Sequence, residues 1–149
     1  MMPRVTTMLL LAVALAPPAS GQVARPAASA LTIGRLHYEG GGDWYANPTS
    51  LPNLLAAIEE RTALPTAGAE RVVRLADPDL WDVPYLYATG HGNISFSDQE
   101  RATLRRWLLQ GGFLHVDDNY GLDVSWRREV AKLFPDRPFV EVPLDHPIY

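Results

Sequence analysis

The chain has 149 residues, a formal net charge of −4, a single lysine (Lys132) and no cysteine. The missing thiol excludes a disulfide framework, a cysteine-held zinc, a lipoprotein anchor and a thiol nucleophile. With no basic stripe or arginine-rich run, nucleic-acid binding has no electrostatic footprint to rest on.

The first residues read as an export signal. Arg4 gives a positive n-region, Met8 to Ala16 an apolar h-region, and Ala19-Ser20-Gly21 the small residues accepted before cleavage at Gln22. The apolar run is about half of the roughly 20 residues a spanning helix needs, so no transmembrane segment is expected once residues 1–21 are removed. Removing Arg4 takes the formal charge from −4 to −5. Residues 22–30, rich in Ala, Pro and Ser, read as a linker. Residues 31–149, about 119 in number, suffice for one core and one α/β domain.

Strands and helices then alternate. Leu31 to Tyr38 reads as a first strand, and Leu51, Leu54, Leu55 and Ile58 fall on one face of a helix that Thr49 or Ser50 caps, with Pro52 in its first turn. Arg71 to Leu75 is a second strand, Asp77 to Leu80 a turn, and Tyr85 to Thr89 a third strand. Ser97 and Glu100 form a capping box for a helix whose apolar face carries Leu104, Trp107 and Leu108 and which Gly111-Gly112 ends. Phe113 to Val116 is a fourth strand. Asp123 is placed to cap a helix bearing Trp126, Val130, Leu133 and Phe134, and Phe139 to Val142 reads as a last strand. The expected fold is a three-layer α/β sandwich on a mostly parallel sheet, flavodoxin-like in architecture, with right-handed crossovers.

On that frame, polar clusters follow the strands. Gly40-Gly41-Gly42-Asp43-Trp44 follows the first, Gly90-His91-Gly92-Asn93 the third, Asp117-Asp118-Asn119-Tyr120 the fourth and Asp145-His146 the last. In a parallel sheet all four share the carboxyl edge, where ligands bind. The candidate ligand-binding residues are therefore Asp43, Trp44, His91, Asn93, Asp117, Asp118, Asn119 and Tyr120.

Each has a plainer alternative. Asp117 and Asp118 are equally suited to capping the next turn, and Asp43 to a solvated turn. Trp44 and Tyr45 suit packing over the sheet edge. His115 reads as a buried, hydrogen-bonded histidine, whereas His91, between two glycines, reads as a site residue. Trp81, Trp107 and Trp126 need only a packing role.

Three runs together carry a resemblance: Gly40 to Pro48, Thr89 to Asn93, and Gly111 to Gly121. They resemble the bacterial exported family called domain of unknown function 4159, over nearly all of Leu31 to Tyr149. Members usually continue past the equivalent of Asp145 to Tyr149, so the resemblance implies a further C-terminal part. A more distant similarity is to the class I glutamine-amidotransferase-like fold, including trehalose-utilisation-type proteins. That similarity puts Asp118 about where amidotransferases carry cysteine. Without cysteine, thioester chemistry is excluded, and a carboxylate there would serve as metal ligand, base or acceptor.

Two function classes remain. One is a catalytically silent domain binding a small polar ligand or an envelope protein. The other is a hydrolase in which His91, Asp117 and Asp118, joined by His146 or Asp43, hold a divalent metal: magnesium, calcium or manganese for oxygen-rich ligation, zinc or iron with two imidazoles. No H-E-x-x-H, G-x-S-x-G, Walker or dinucleotide signature names an enzyme class. Binding is preferred, since a cluster of polar loops is necessary for catalysis but not sufficient.

Overall fold

The computed structural model describes residues 30–149; the expected signal peptide and the linker up to residue 29 lie outside the described residues. Its elements are β1 (Ile33–Leu36), α1 (Ser50–Arg61), β2 (Arg71–Val73), a 3-10 turn (Pro78–Asp82), β3 (Tyr85–His91), α2 (Asp98–Leu109), β4 (Phe113–Tyr120) and α3 (Asp123–Leu133). The four strands pair in parallel in the order β2-β1-β3-β4. No helix among the described residues is long and apolar enough to cross a membrane.

The central strands are covered on both faces, which is why β1 and β3 read as buried runs instead of alternating. On one face Ile33 and Tyr87 pack with Leu51 and Leu55 of α1. On the other, Leu36, Val73, Leu86 and Ala88 pack with Leu104 and Trp107 of α2 and with Leu122 and Leu133. Full burial of each such leucine is worth roughly 1.5–3 kcal/mol. This is the three-layer sandwich expected. The buried stripe of α1 is narrower than its periodicity predicts, with Leu54 exposed.

α2 begins and ends as its sequence dictates. Ser97 Oγ accepts from the Glu100 N–H while the Glu100 carboxylate accepts from the Ser97 N–H, completing the capping box. At the other end the Gly111 N–H reaches Leu108 O (3.1 Å) and the Gly112 N–H reaches Trp107 O (3.1 Å), a Schellman closure with Gly111 at φ +99°. Gly112 lies flat on the Trp107 ring, where a Cβ has no room. The indole Nε1 donates to Val83 O at 3.2 Å.

Several boundaries differ from expectation. β1 and β2 are shorter, because only Ile33–Leu36 and Arg71–Val73 find ladder partners. β4 runs on through Asp117, Asp118, Asn119 and Tyr120, so this cluster is strand and not loop. The ladder of β3 overrides the weak strand propensity of Asp and Asn there, at the cost of a register shift at Gly90/His91. Thr49 and Ser50 make no side-chain cap for α1; the Ser50 hydroxyl instead donates to Asn47 O. Phe139–Val142 forms no strand, and residues 135–149 are all exposed. Asp145-His146 therefore does not follow a strand in this structure.

The cap of α3 is also reassigned. Asp123 lies inside the first turn and pairs with Arg127, while Asp118, at the end of β4, accepts the N–H groups of Leu122 (2.9 Å) and Asp123 (3.1 Å). A carboxylate on the free amides of a helix start satisfies orphan donors and opposes the helix dipole. Asp118→Ala is expected to lower unfolding free energy by about 0.5–2 kcal/mol, with Asp118→Asn intermediate because its amide oxygen still accepts one N–H. Urea unfolding of the three proteins checks this, and an unchanged midpoint for Asp118→Ala would rule out the capping role.

Candidate functional site

In a flavodoxin-like order the switch point lies between β1 and β3, where the chain leaves adjacent strands toward opposite faces. The loops after β1 and β3 meet there. Gly42 N–H donates to Asn93 O (2.9 Å), Ser95 N–H to Glu39 O (2.8 Å) and Asn93 Nδ2 to Gly40 O (2.9 Å). The approach is too close for side chains: a Cβ on Gly42 would stand 2.8 Å from the carbonyl oxygens of His91 and Asn93, and Gly90, at φ +145°, faces the Tyr38 hydroxyl and Asp43. Tyr38 is buried beneath, donating to Thr89 O at 3.0 Å. Burial first, and then the Asp43 charge, push its pKa up to about 12, so it stays a neutral donor.

Asp43 and His91 are joined by two bonds. One carboxylate oxygen accepts the His91 backbone N–H, and the other stands 3.0 Å from His91 Nδ1. The backbone bond, followed by the side-chain bond, holds the Asp43 carboxyl below the ordinary carboxylate range. In the neutral ring, a carboxylate acceptor at Nδ1 places the proton on that nitrogen and leaves Nε2 with its lone pair. The His91 side chain is 57% exposed. The pair is a base with its orienting carboxylate, able to accept a proton, hold a polar ligand or ligate a metal through Nε2.

The other candidates are placed differently. Asn93 is a positioning residue, its amide spent on Gly40 O and on Arg128 Nη2 (3.1 Å). Trp44 stacks on His37 at 4.0 Å and meets Tyr45 edge-on, which is packing over the sheet edge. Burial, and then Arg74, hold the His37 pKa down. Asp118 caps α3. Asp117 points to the α1 side, accepting from Tyr87 OH at 2.9 Å. Asn119 accepts from Asn47 Nδ2 (3.0 Å), while its own Nδ2 is buried without a partner. Tyr120, opposite His91 in the ladder, has an exposed side chain, and its carbonyl accepts the Gly92 N–H at 3.0 Å.

His115 corrects an expectation in part: it is hydrogen-bonded, to Tyr85 OH at 2.9 Å, but exposed, because α1 does not reach over β4. His146 sits in the exposed C-terminal segment, where Nδ1 accepts from Ile148 N–H at 3.2 Å. Among the described residues no three His, Asp or Glu side chains stand close enough to share a metal, so His91, Asp117, Asp118 and His146 are not assembled as a ligand set.

Three supports escape sequence reading. Arg35, buried in β1, donates to Ala46 O (2.9 Å) and Asn47 O (3.3 Å) and pairs with Glu70, fixing the far end of the Asp43 loop. The only signal was an arginine inside an apolar strand. From α3, Ser125 Oγ accepts the Ile94 N–H (3.0 Å) and Arg128 reaches Ile94 O (3.0 Å). Beside them Glu129 is buried among Arg101, Arg128 and Lys132; desolvation raises its pKa, but the three bases outweigh it and hold the carboxyl down.

A cleft of about 360 Å³ lined by Val83, Pro84, Trp107 and Gly112 opens at the opposite, amino edge of β3 and β4. No paired titratable groups converge in it, so the chemistry points to Asp43 and His91 despite their shallower setting. The model of the family described as Domain of unknown function (DUF4159) matches residues 32–149. The chain belongs to the DUF4159 family. No curated protein matches it.

In this DUF4159 domain the contribution of Asp43 to stability has a defined sign. Its carboxyl is held below the ordinary value, so the loop contact is fully present above about pH 4 and is lost as pH falls through the lower folded-state value. The melting temperature of the wild type is expected to drop more steeply below about pH 4 than that of Asp43→Asn. Identical acid limbs for the two proteins would show that the contact contributes nothing.

Proposed function

We propose that this DUF4159 chain is an exported, amidotransferase-like domain without a thiol, which binds a small polar ligand or a partner protein in the bacterial cell envelope through the carboxyl edge of its sheet. The observation that carries this reading is the Asp43–His91 pair at the β1/β3 switch point, with the His91 side chain more than half exposed. Strand order supports the fold analogy, and the n-region, h-region and Ala19-Ser20-Gly21 support export. Asp118, about where amidotransferases carry their nucleophile, is occupied by α3.

The alternative is a metal-dependent hydrolase. A carboxylate on the inner nitrogen of a histidine is also the usual outer-sphere partner of a metal-bound imidazole, which favours His91 as one ligand. His91 then needs further ligands, and among the described residues no group of three His, Asp or Glu side chains is assembled to share a metal.

Ring-nitrogen NMR of the full chain distinguishes the two. Titrated with inorganic phosphate, glutamine and glucose, a binding domain shows saturable shifts at His91 Nε2 that weaken at least about tenfold in Asp43→Asn, a loss of 1.4 kcal/mol or more. Zinc or manganese shifting His91 with no response to the organic probes would favour the hydrolase. No response at His91 to any probe would defeat both. Export is checked separately by N-terminal sequencing of the mature protein, which is expected to start at or near Gln22; an intact Met1 in the cytoplasm would refute it.

A further inference from the structure

Two features of the structure are unmatched and fit each other. The first is the outer edge of β4, which has no strand beside it among the described residues and leaves Leu114 and Val116 only half-buried on the side of α2 and α3. An eight-residue edge with open backbone groups is a template for another strand. The second is Phe139–Val142, whose apolar residues are exposed, Val140 by 80%, with the Phe139 ring under the Arg127 guanidinium at 4.9 Å. Its alternation and β-branched content are those of a strand.

Chain direction decides where such a strand goes. α3 packs on the same face as α2, and the β3–α2–β4 crossover moves outward from the sheet centre. A second right-handed crossover through a helix on that face moves the same way. The strand after α3 then lands beyond β4, not beside β2, and extends the order to 2-1-3-4-5. The five residues between Leu133 and Phe139 are an ordinary length for a helix-to-strand connection.

We propose that Phe139–Val142 docks in parallel on the open edge of β4 as a fifth strand, in the register that sets Phe139 beside Phe113 and carries Asp145-His146 to the site edge. In that register Val140 and Val142 continue the apolar face of Leu114 and Val116 toward α3. On the α1 side Phe139 joins the Tyr85–Phe113 ring pair, already 5.2 Å apart, and Glu141 brings a hydrogen-bond acceptor beside the exposed His115 imidazole. A shift by one residue would turn both valines to the open face and oppose Glu141 to the apolar side. Pro143 is tolerated on an edge strand. His146 comes level with Tyr120, which is itself opposite His91, so the two histidine backbones stand two strand spacings apart, about 10 Å. The docking is independent of what the Asp43–His91 pair binds.

Amide hydrogen exchange on the unmodified full chain tests it. Docking protects the inward amides of residues 139–142 at least about 100-fold over free-peptide rates, and exchange at free-peptide rates across the segment overturns it. The absence of native cysteine allows a second test. Val116→Cys with Val142→Cys, in register at about 4.8 Å, is expected to close an intramolecular disulfide under oxidation, while Val116→Cys with Leu144→Cys, two residues out and beyond about 7 Å, is not. Only intermolecular disulfides, or equal closure of both pairs, would refute the docking.

Discussion

The carboxyl edge of this protein depends on how closely the chain after β1 can press against the chain after β3. Gly42 and Gly90 leave no room for a Cβ at the contact, and Tyr38 fills the space below with a hydroxyl already committed to Thr89. Only at this distance can one carboxylate of Asp43 accept both the backbone and the ring of His91. The same contact makes the pair rigid. A histidine held through its own main chain as well as through Nδ1 has little freedom to turn, so the direction of Nε2 is set before any ligand arrives.

That contact is braced from two sides by charges withdrawn from solvent. Arg35 holds the loop of Asp43 from inside the sheet, and its cost of burial is offset by Glu70 and two carbonyl acceptors. From the other face, α3 holds the loop of His91 through Ser125 and Arg128, and Glu129 gathers three bases around one carboxylate. Asp118 ties the start of α3 to the end of β4. It thereby reaches the site through the helix it positions.

β4 shows the opposite situation. On the α1 side, Tyr85 and Tyr87 reach diagonally to His115 and Asp117, and burial pushes both phenols' pKa up so that they remain neutral hydrogen-bonding groups. α1 covers β1 and β3 but not β4. An edge strand with one covered face and an ordered polar row on the other is a surface prepared for a neighbour, and the segment after α3 has the length and pattern to supply it.

The sequence by itself determined much of the local structure where the deciding interactions are close in the chain, the caps of α1 and α3 excepted. The capping box of Ser97 and Glu100, the Gly111-Gly112 stop, the apolar faces of the helices and the strand–helix alternation all depend on residues within a few positions of one another. It also brought out Asp43 and His91, because glycines flank them at strand ends. Only the tertiary structure decided which polar residues share a site. Asp118 looks like a site carboxylate until the amides of α3 are seen to claim it, and Asn93 until Arg128 is seen at its oxygen. Arg35 gave no sign that it reaches Ala46 and Asn47. A buried polar group must find partners, and in a parallel sheet those partners come from strands and helices tens of residues away, so their pairing is fixed by packing and not by any pattern along the chain.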